Sequence, residues 1–80
     1  MKERVIMLEK IKKVVSRHLD VEQDDINLDS NFQRDFGAQP LDLLQVVMEL
    51  EEEFDVQLDD DEAYEITTVQ DMINKFQKAM

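Results

Sequence analysis

The chain has 80 residues, with nine Lys and Arg against twenty Asp and Glu, so its formal net charge at pH 7 is −11. A surface of that sign repels nucleic acid and anionic lipid. The sequence has no cysteine, which excludes disulfide bonds and thiolate metal sites. We expect residues 1–80 to form a single domain with a modest core.

The charges are unevenly distributed along the chain. Six of the nine basic residues lie in the first 17 positions, whereas residues 35–74 contain thirteen acids and no Lys or Arg. Such a block either keeps the surface solvated or steers basic partner proteins, and we favour the second interpretation because the block is longer than solubility requires. No apolar run approaches the ~20 residues that cross a bilayer. We therefore expect a monomeric cytoplasmic protein that binds neither nucleic acid nor membranes.

The first predicted helix covers residues 3–19. Its expected core stripe has spacings of three and four and consists of Val5, Leu8, Ile11 or Lys12, Val15 and Leu19. Basic residues occupy its expected solvent side, namely Lys10, Lys12, Lys13 and Arg17. The only histidine, His18, has no cysteine or second histidine to join it, so neither a metal nor a catalytic role is assigned to it.

Residues 20–36 are predicted to form a long ordered loop, because apolar residues recur through the segment: Val21, Ile26, Leu28, Phe32 and Phe36. Residues 29–31 have side chains that start turns by bonding the backbone. An EF-hand pattern begins at Asp25 but fails, since Ser30 takes the glycine position and Phe36 replaces the bidentate Glu. A small acidic cation buffer remains an alternative function.

The central helix, predicted over residues 40–54, has two apolar stripes. The first has the width of a stripe that packs on a core and contains Leu43, Val46, Val47, Leu50 and Phe54. The second lies on nearly the opposite face and contains Leu41, Leu44 and Met48, with Gln45, Glu51, Glu52 and Asp55 around it. It is either covered by neighbouring segments or exposed as a contact surface. We favour a contact surface, because the surrounding carboxylates resemble the polar rim of an interface.

The start of the central helix contains no reactive group. Gly37 supplies the turn into it, and Pro40 suits the first helical position, where a missing N–H costs nothing. Gln39 is then the N-cap, and Asp42 is placed to accept a hydrogen bond from its N–H.

Two further helices are predicted. A short one over residues 59–66 starts with acids, and a last one follows Thr67 and Thr68, with Asp71 at the capping-box position. The apolar residues of the last helix recur at helical spacing: Val69, Met72, Ile73, Phe76 and Met80. No strand pattern competes, so we predict an all-α four-helix bundle with three longer helices, a short third helix and a long loop after the first.

Catalytic motifs are missing from the sequence. It contains no H-E-x-x-H, no Walker glycine loop and no G-x-G-x-x-G. The acidic runs at 51–53 and 59–61 are highly charged clusters, whereas acid–base catalysis needs a carboxylate with a tuned pKa in a dry cleft. We predict that the protein is not an enzyme and has no catalytic or metal-binding residues.

From Phe32 onward the sequence resembles the acyl carrier protein family. The matching segments are Phe32-x-x-Asp35-Phe36-Gly37-Ala38, Leu41-Asp42, Val47-Met48-x-Leu50-Glu51-Glu52-Glu53-Phe54 and Ile66-Thr67-Thr68-Val69-Gln70. The first helix and the Asp29-Ser30-x-Phe32 loop fit the family too. The resemblance implies the family's four-helix fold, a place in fatty-acid or polyketide-type synthesis, and docking onto basic patches of synthases or acyltransferases.

The chain departs from the family at its defining motif, Gly-x-Asp-Ser-Leu, which here is Gly37-Ala38-Gln39-Pro40-Leu41. In the family a phosphopantetheine arm esterifies the serine hydroxyl. Proline has no hydroxyl, so the resemblance implies that no arm attaches at Pro40, and we expect no cofactor. The family's Asp beside the serine is Gln39, and its usual Glu on the central helix is Gln45, so two acids that partners recognise are neutral here.

The resemblance also implies which residues contact partners. They are Leu41, Asp42, Leu44, Gln45, Met48, Glu51, Glu52 and Asp55. Because family members hold acyl chains between their helices, an apolar cavity lined by Val47, Leu50, Ile66 and Ile73 is a further expectation.

Besides the cation buffer, two functions compete. The first is an acyl-carrier-like module that docks basic partners through its acidic central helix without a covalent arm. The alternative is a conventional acyl carrier protein whose attachment serine was lost in this copy or replaced deliberately. The change of both Gln39 and Pro40 argues against a deliberate knockout, for which serine to alanine suffices.

Overall fold

The computed structural model describes the backbone of residues 2–80 and the side chains of residues 5–80. Its helices are α1 (Lys2–Leu19), α2 (Phe32–Phe36), α3 (Pro40–Phe54), α4 (Asp60–Tyr64) and α5 (Val69–Ala79), with a 3-10 turn at Gln23–Asp25. Across residues 2–80 there is no strand beyond an isolated bridge between Asn31 and Thr68. The predicted all-α bundle with three longer helices is confirmed.

The short helix α2 lies inside the segment that was predicted to be a loop. The Asn31 side chain caps it by accepting hydrogen bonds from the backbone N–H groups of Gln33 (3.0 Å) and Arg34 (2.9 Å). Gly37 ends it in the left-handed conformation with φ of 66° and donates its N–H to the Gln33 carbonyl. Hydrogen bonds from the Asn31 backbone and the Arg34 side chain lower the pKa of Asp35.

One apolar core joins the described helices. Its helical members are Met7, Ile11, Val14 and Val15 from α1, Val46, Val47 and Leu50 from α3, Ala63 from α4, and Val69, Met72, Ile73 and Phe76 from α5. Ile26 and Phe32 enter it from the segment between α1 and α3, as predicted. The rings of Phe54 and Phe76 pack at 5.4 Å between centroids, which links the end of α3 to α5.

The predicted core stripe of α1 was partly wrong. Val5 is 59% exposed, whereas Met7 and Val14 are buried. Both sets of residues have spacings of three and four, so the pattern alone leaves the rotation of the helix open. The packing of α1 against α3 selects the face with Met7, and Ile11 rather than Lys12 occupies the core. Leu28 and Met80, also expected to be apolar anchors, are exposed.

The segment between α1 and α3 is tied to the start of α5, as an ordered connection requires. The Phe32 N–H donates to the Thr67 carbonyl (3.0 Å), and the Val69 N–H donates to the Ser30 carbonyl (3.1 Å). Within the segment, the Ser30 hydroxyl oxygen accepts a hydrogen bond from the Asn27 N–H at 2.9 Å. These bonds hold the long connection against the start of α5.

The predicted capping box of α5 is confirmed. The Thr68 hydroxyl oxygen accepts from the Asp71 N–H, and Asp71 Oδ2 accepts from the Thr68 N–H, both at 3.1 Å. The Thr67 N–H and hydroxyl donate to the same carboxylate oxygen. Desolvation raises the pKa of Asp71, but these hydrogen bonds outweigh it and leave that pKa below its usual value.

Candidate docking surface on α3

The start of α3 is built as predicted. Pro40 is the first helical residue, and the backbone N–H of the N-cap, Gln39, donates to Asp42 Oδ2 at 3.0 Å. Asp42 is half-buried at the helix start, and its charge lies at the positive end of the helix dipole. The carboxylate therefore has a structural role, whether or not a partner also contacts it.

The outer face of α3 is a strip of four exposed residues. Leu41, Gln45, Met48 and Glu52 follow one another at spacings of four, three and four, and all are exposed. Leu41 is 64% and Met48 57% exposed, while Val46, Val47 and Leu50 on the opposite face are buried. We call these four residues the outer strip. Two large apolar side chains remain in water on it, which is typical of a contact surface.

The flank of α3 that faces α4 contains two of the predicted docking residues in half-buried positions. Leu44 lines a cavity between α3 and α4. Glu51 Oε2 accepts a hydrogen bond from the Leu58 N–H at 2.7 Å, across the connection between the two helices. The Glu51 carboxylate thus orders that connection instead of standing free beside the outer strip.

The opposite flank of α3 faces the basic side of α1. Arg17 pairs with Glu49, and Lys10 Nζ lies 3.3 Å from Glu53 Oε2. His18 Nε2 lies 3.5 Å from the same Glu49 carboxylate. Desolvation raises the pKa of Glu49, but the hydrogen bonds from Arg17 and His18 outweigh it and lower that pKa overall. Lys10 and Arg17 of α1 therefore neutralise Glu53 and Glu49 of α3 within the chain.

The remaining exposed acids lie mainly in two regions, the connection after α1, which contains Asp20, Glu22, Asp24, Asp25 and Asp29, and the C-terminal end of α3 together with α4. Those that form no ion pair within residues 5–80 include Glu52, Asp55, Asp59, Asp60 and Asp61. Part of the negative charge open to another molecule therefore lies on the α4 side, next to the outer strip. This division was not predictable from charge counts, because it depends on which face of α1 meets α3.

A cavity of about 130 Å³ opens beside Pro40. Its lining residues are Phe32, Gln33, Pro40, Leu43, Leu44, Val47, Ala63, Tyr64, Ile66 and Thr67. Two of the four residues predicted to line an apolar cavity, Val47 and Ile66, do so. The other two, Leu50 and Ile73, lie in the core away from this space.

Tyr64 is a functional candidate that the sequence reasoning missed. Its side chain is 73% exposed and lines the same cavity as Pro40 and Leu44. Together with Leu41 and Met48, it places large apolar groups in water near the start and outer face of α3. Its position in a short acidic segment was the only sequence signal, and that signal does not reveal which neighbours it meets.

Within the described part of the chain, no three potential metal-ligating side chains gather closely enough to hold an ion. None of the helices in residues 2–80 combines the length and apolar character needed to cross a bilayer.

Comparison with known proteins identifies the family. Residues 9–76 match the family described as Phosphopantetheine attachment site. The structure is similar to that of an acyl carrier protein from Enterococcus faecalis, with 30% identity and a TM-score of 0.82 over 96% of this chain and 98% of that one. An acyl carrier protein from Thermotoga maritima is 25% identical, with a TM-score of 0.83 over 96% of this chain and 89% of the other. The chain therefore belongs to the acyl carrier protein family, as its resemblance predicted.

The residues at the start of α3 do not fit the phosphopantetheine group that the family name implies. A phosphodiester link needs a hydroxyl oxygen, and Gln39, Pro40 and Leu41 have none. Two residues that line the nearby cavity have a hydroxyl, Tyr64 and Thr67, and the Thr67 hydroxyl already donates a hydrogen bond to Asp71 Oδ2 at 2.7 Å.

Proposed function

We propose that this chain is a docking module with the acyl carrier fold, which binds basic patches of synthases or acyltransferases of fatty-acid or polyketide-type synthesis. It acts as a monomer in the cytoplasm, without a covalent phosphopantetheine arm and without catalysing a reaction. The observation that carries the proposal is the exposure of Leu41 and Met48 on the outer strip. Glu52, on the same strip, and Asp55, just beyond the helix, supply part of a charged rim.

The missing arm follows from the chemistry of Pro40. We expect the purified chain to keep its mass after incubation with coenzyme A and a phosphopantetheinyl transferase, because the ring nitrogen lies in a peptide bond and the ring has no hydroxyl. The double variant Gln39→Asp, Pro40→Ser restores both residues of the motif and serves as the positive control, which should gain one phosphopantetheine group. Intact-mass spectrometry reads both proteins, and a mass gain by the unaltered chain would overturn this part of the proposal.

A conventional carrier that has lost its serine remains the second candidate. The cavity beside Pro40 is its specific support, because Val47 and Ile66 line it as the resemblance implies, but a volume of about 130 Å³ holds only a short acyl chain. The double variant separates the two candidates. If it is loaded and then supports a synthase as well as an active carrier does, the chain is a carrier that lacks only its attachment residue. If it is loaded but supports no synthase, more than the attachment residue separates the chain from a carrier, as a docking module without an arm predicts.

The outer strip is tested by paired truncations. Met48→Ala should cost well under 1 kcal/mol of stability because Met48 is 57% exposed, whereas Leu50→Ala, fully buried, should cost about 2 to 5 kcal/mol. Met48→Ala should weaken binding to a purified synthase or acyltransferase with a basic patch. Leu50→Ala should weaken it only as far as it unfolds the chain. Urea unfolding and calorimetric titration measure the two effects, and equal binding by Met48→Ala and the unaltered chain would contradict docking through the strip.

A further inference from the structure

We propose that the cavity beside Pro40 receives a single apolar side chain of the docked protein, flanked in that protein by arginine or lysine. This inference rests on the proposed docking function and specifies what the partner presents. The size and lining of the cavity, its open rim and the charges around it favour such an occupant.

The cavity is small and apolar. Leu43, Leu44, Val47 and Ile66 are among its apolar lining residues, and Gln33, Thr67 and Tyr64 are the lining residues with polar side-chain groups. A volume of about 130 Å³ is close to the ~150 Å³ of an engineered apolar cavity that binds benzene. One aromatic or branched aliphatic side chain therefore matches the space, and a long alkyl chain exceeds it.

The rim of the cavity is accessible from the docking side. Pro40 and Tyr64 both line the cavity and are exposed. Leu41, the first residue of the outer strip, comes directly after Pro40 in the sequence. Because Pro40 cannot anchor a group at the rim, an occupant has to come from a second molecule. A protein docked on Leu41 and Met48 would lie within a turn or two of helix from this opening.

The charges at the rim select a basic partner. Asp60 and Asp61 precede Tyr64 by four and three residues on α4, so they are its neighbours on the helix surface. Both are exposed and form no ion pair within residues 5–80. An arginine beside the inserted group could pair with these carboxylates and stack on the exposed Tyr64 ring. A free fatty acid carries a negative charge at neutral pH, and the carboxylates of Asp60 and Asp61 would repel it.

The test uses two synthetic helical peptides that are rich in arginine and differ at one central residue, phenylalanine or alanine. The phenylalanine peptide should bind the unaltered chain about 10- to 100-fold more tightly, because only its side chain leaves water in the cavity. Methyl NMR should show the Val47 and Ile66 signals moving with the phenylalanine peptide and not with the alanine peptide.

Ala63 offers a variant that fills the cavity, since its side chain lines it and is almost completely buried. In Ala63→Leu the two peptides should bind with nearly equal affinity. Met48→Ala is the matched control on the outer strip, and it should weaken both peptides by a similar factor while preserving the difference between them. If Ala63→Leu does not fold, the comparison of the two peptides on the unaltered chain decides the question.

The outcomes separate this inference from the docking function. Equal affinity of the two peptides for the unaltered chain would show that no side chain enters the cavity and would overturn the inference. If Met48→Ala still weakened the binding of both peptides, docking through the outer strip would stand. Peptide binding that is indifferent to Met48→Ala would count against the docking function itself. Octanoate that moves the Val47 and Ile66 signals, where the phenylalanine peptide does not, would assign the cavity to alkyl chains and overturn the inference.

Discussion

Three residues of the described chain adopt the left-handed backbone conformation, and only one of them is glycine. Gly37 has φ of 66°, Asp20 of 56° and Asp55 of 55°. A side chain in this region costs roughly 1 kcal/mol or more, somewhat less for Asp and Asn because their side chains can bond locally. The ends of α1 and α3 therefore carry small backbone penalties that the end of α2 avoids.

Substitutions at these positions should have opposite signs. Gly37→Ala should destabilise the fold by about 1 kcal/mol through the backbone alone, because no heavy atom lies within 4 Å of where its Cβ would stand. Asp55→Gly should stabilise it by roughly 0.5 to 1 kcal/mol. Urea unfolding measures both, with Asp20→Gly as a control expected to match the sign of Asp55→Gly. Destabilisation by both glycine variants would show that the aspartate side chains contribute more than the backbone penalty.

At the scale of single residues, the sequence predicted exposure better than it predicted partners. Helical periodicity placed Leu41 and Met48 opposite the core, and the structure exposes both. The same reasoning placed Glu51 in the polar rim of the docking surface, but its carboxylate accepts a hydrogen bond from the Leu58 N–H. That bond depends on the path of the connection between α3 and α4, which contains no periodic signal.

At the scale of elements, the helices whose local signals were strong were predicted well. Thr68 with Asp71 and Pro40 with Asp42 identified the starts of α5 and α3 to the residue. Helix α2 was missed because five residues are too few to show a period, although Asn31 before it and Gly37 after it are suitable caps. The rotation of α1 was missed because two apolar faces compete and packing against α3 decides between them.

The capping box of α5 predicts a specific pH dependence. The pKa of Asp71 is lower in the folded chain than its usual value of 3.8, so its contribution to stability is fully present above that value. It is lost as the pH falls through the lower folded pKa, when the carboxylate gains a proton and its hydrogen bonds from Thr67 and Thr68 weaken. Asp71→Asn should therefore cost about 1 kcal/mol near pH 6, the usual value of a lost cap.

The cost of Asp71→Asn should shrink toward zero at acid pH. Urea unfolding of both proteins across pH 6 to 2.5 measures it, and Asp60→Asn is a matched control because that exposed carboxylate accepts no hydrogen bond that would be lost. A constant difference between Asp71→Asn and the unaltered chain at every pH would mean that shape, and not charge, accounts for the cap.

At the scale of the whole molecule, the acid block is only partly neutralised. Of its thirteen acids, four form ion pairs within the described residues: Asp35, Glu49, Glu53 and Glu65. These pairs lie at the surface, where solvent screening leaves each of them only a small contribution to stability. The Lys75 partner of Glu65 has a raised pKa because of that hydrogen bond, so the pair stays charged at neutral pH. Most of the block remains unpaired while the whole chain keeps a charge of −11.

Added salt screens both the ion pairs, which stabilise the fold, and the repulsion among the unpaired acids, which destabilises it. With nine acids of the block unpaired against four paired, repulsion should be the larger effect. The melting temperature should therefore rise as NaCl goes from about 0.01 to 0.15 M and the Debye length falls from about 30 to 8 Å.

Arg17→Gln is the informative variant for the salt prediction, because it removes the arginine partner of Glu49 and adds one net negative charge. Its melting temperature should start lower than that of the unaltered chain and rise more steeply with NaCl, as differential scanning calorimetry would measure. Millimolar Mg²⁺ should also raise the melting temperature, and a comparison at equal ionic strength separates screening from specific binding, since only binding makes Mg²⁺ exceed NaCl. A melting temperature that does not respond to NaCl in either protein would show that the acids are spaced widely enough for their repulsion to be negligible.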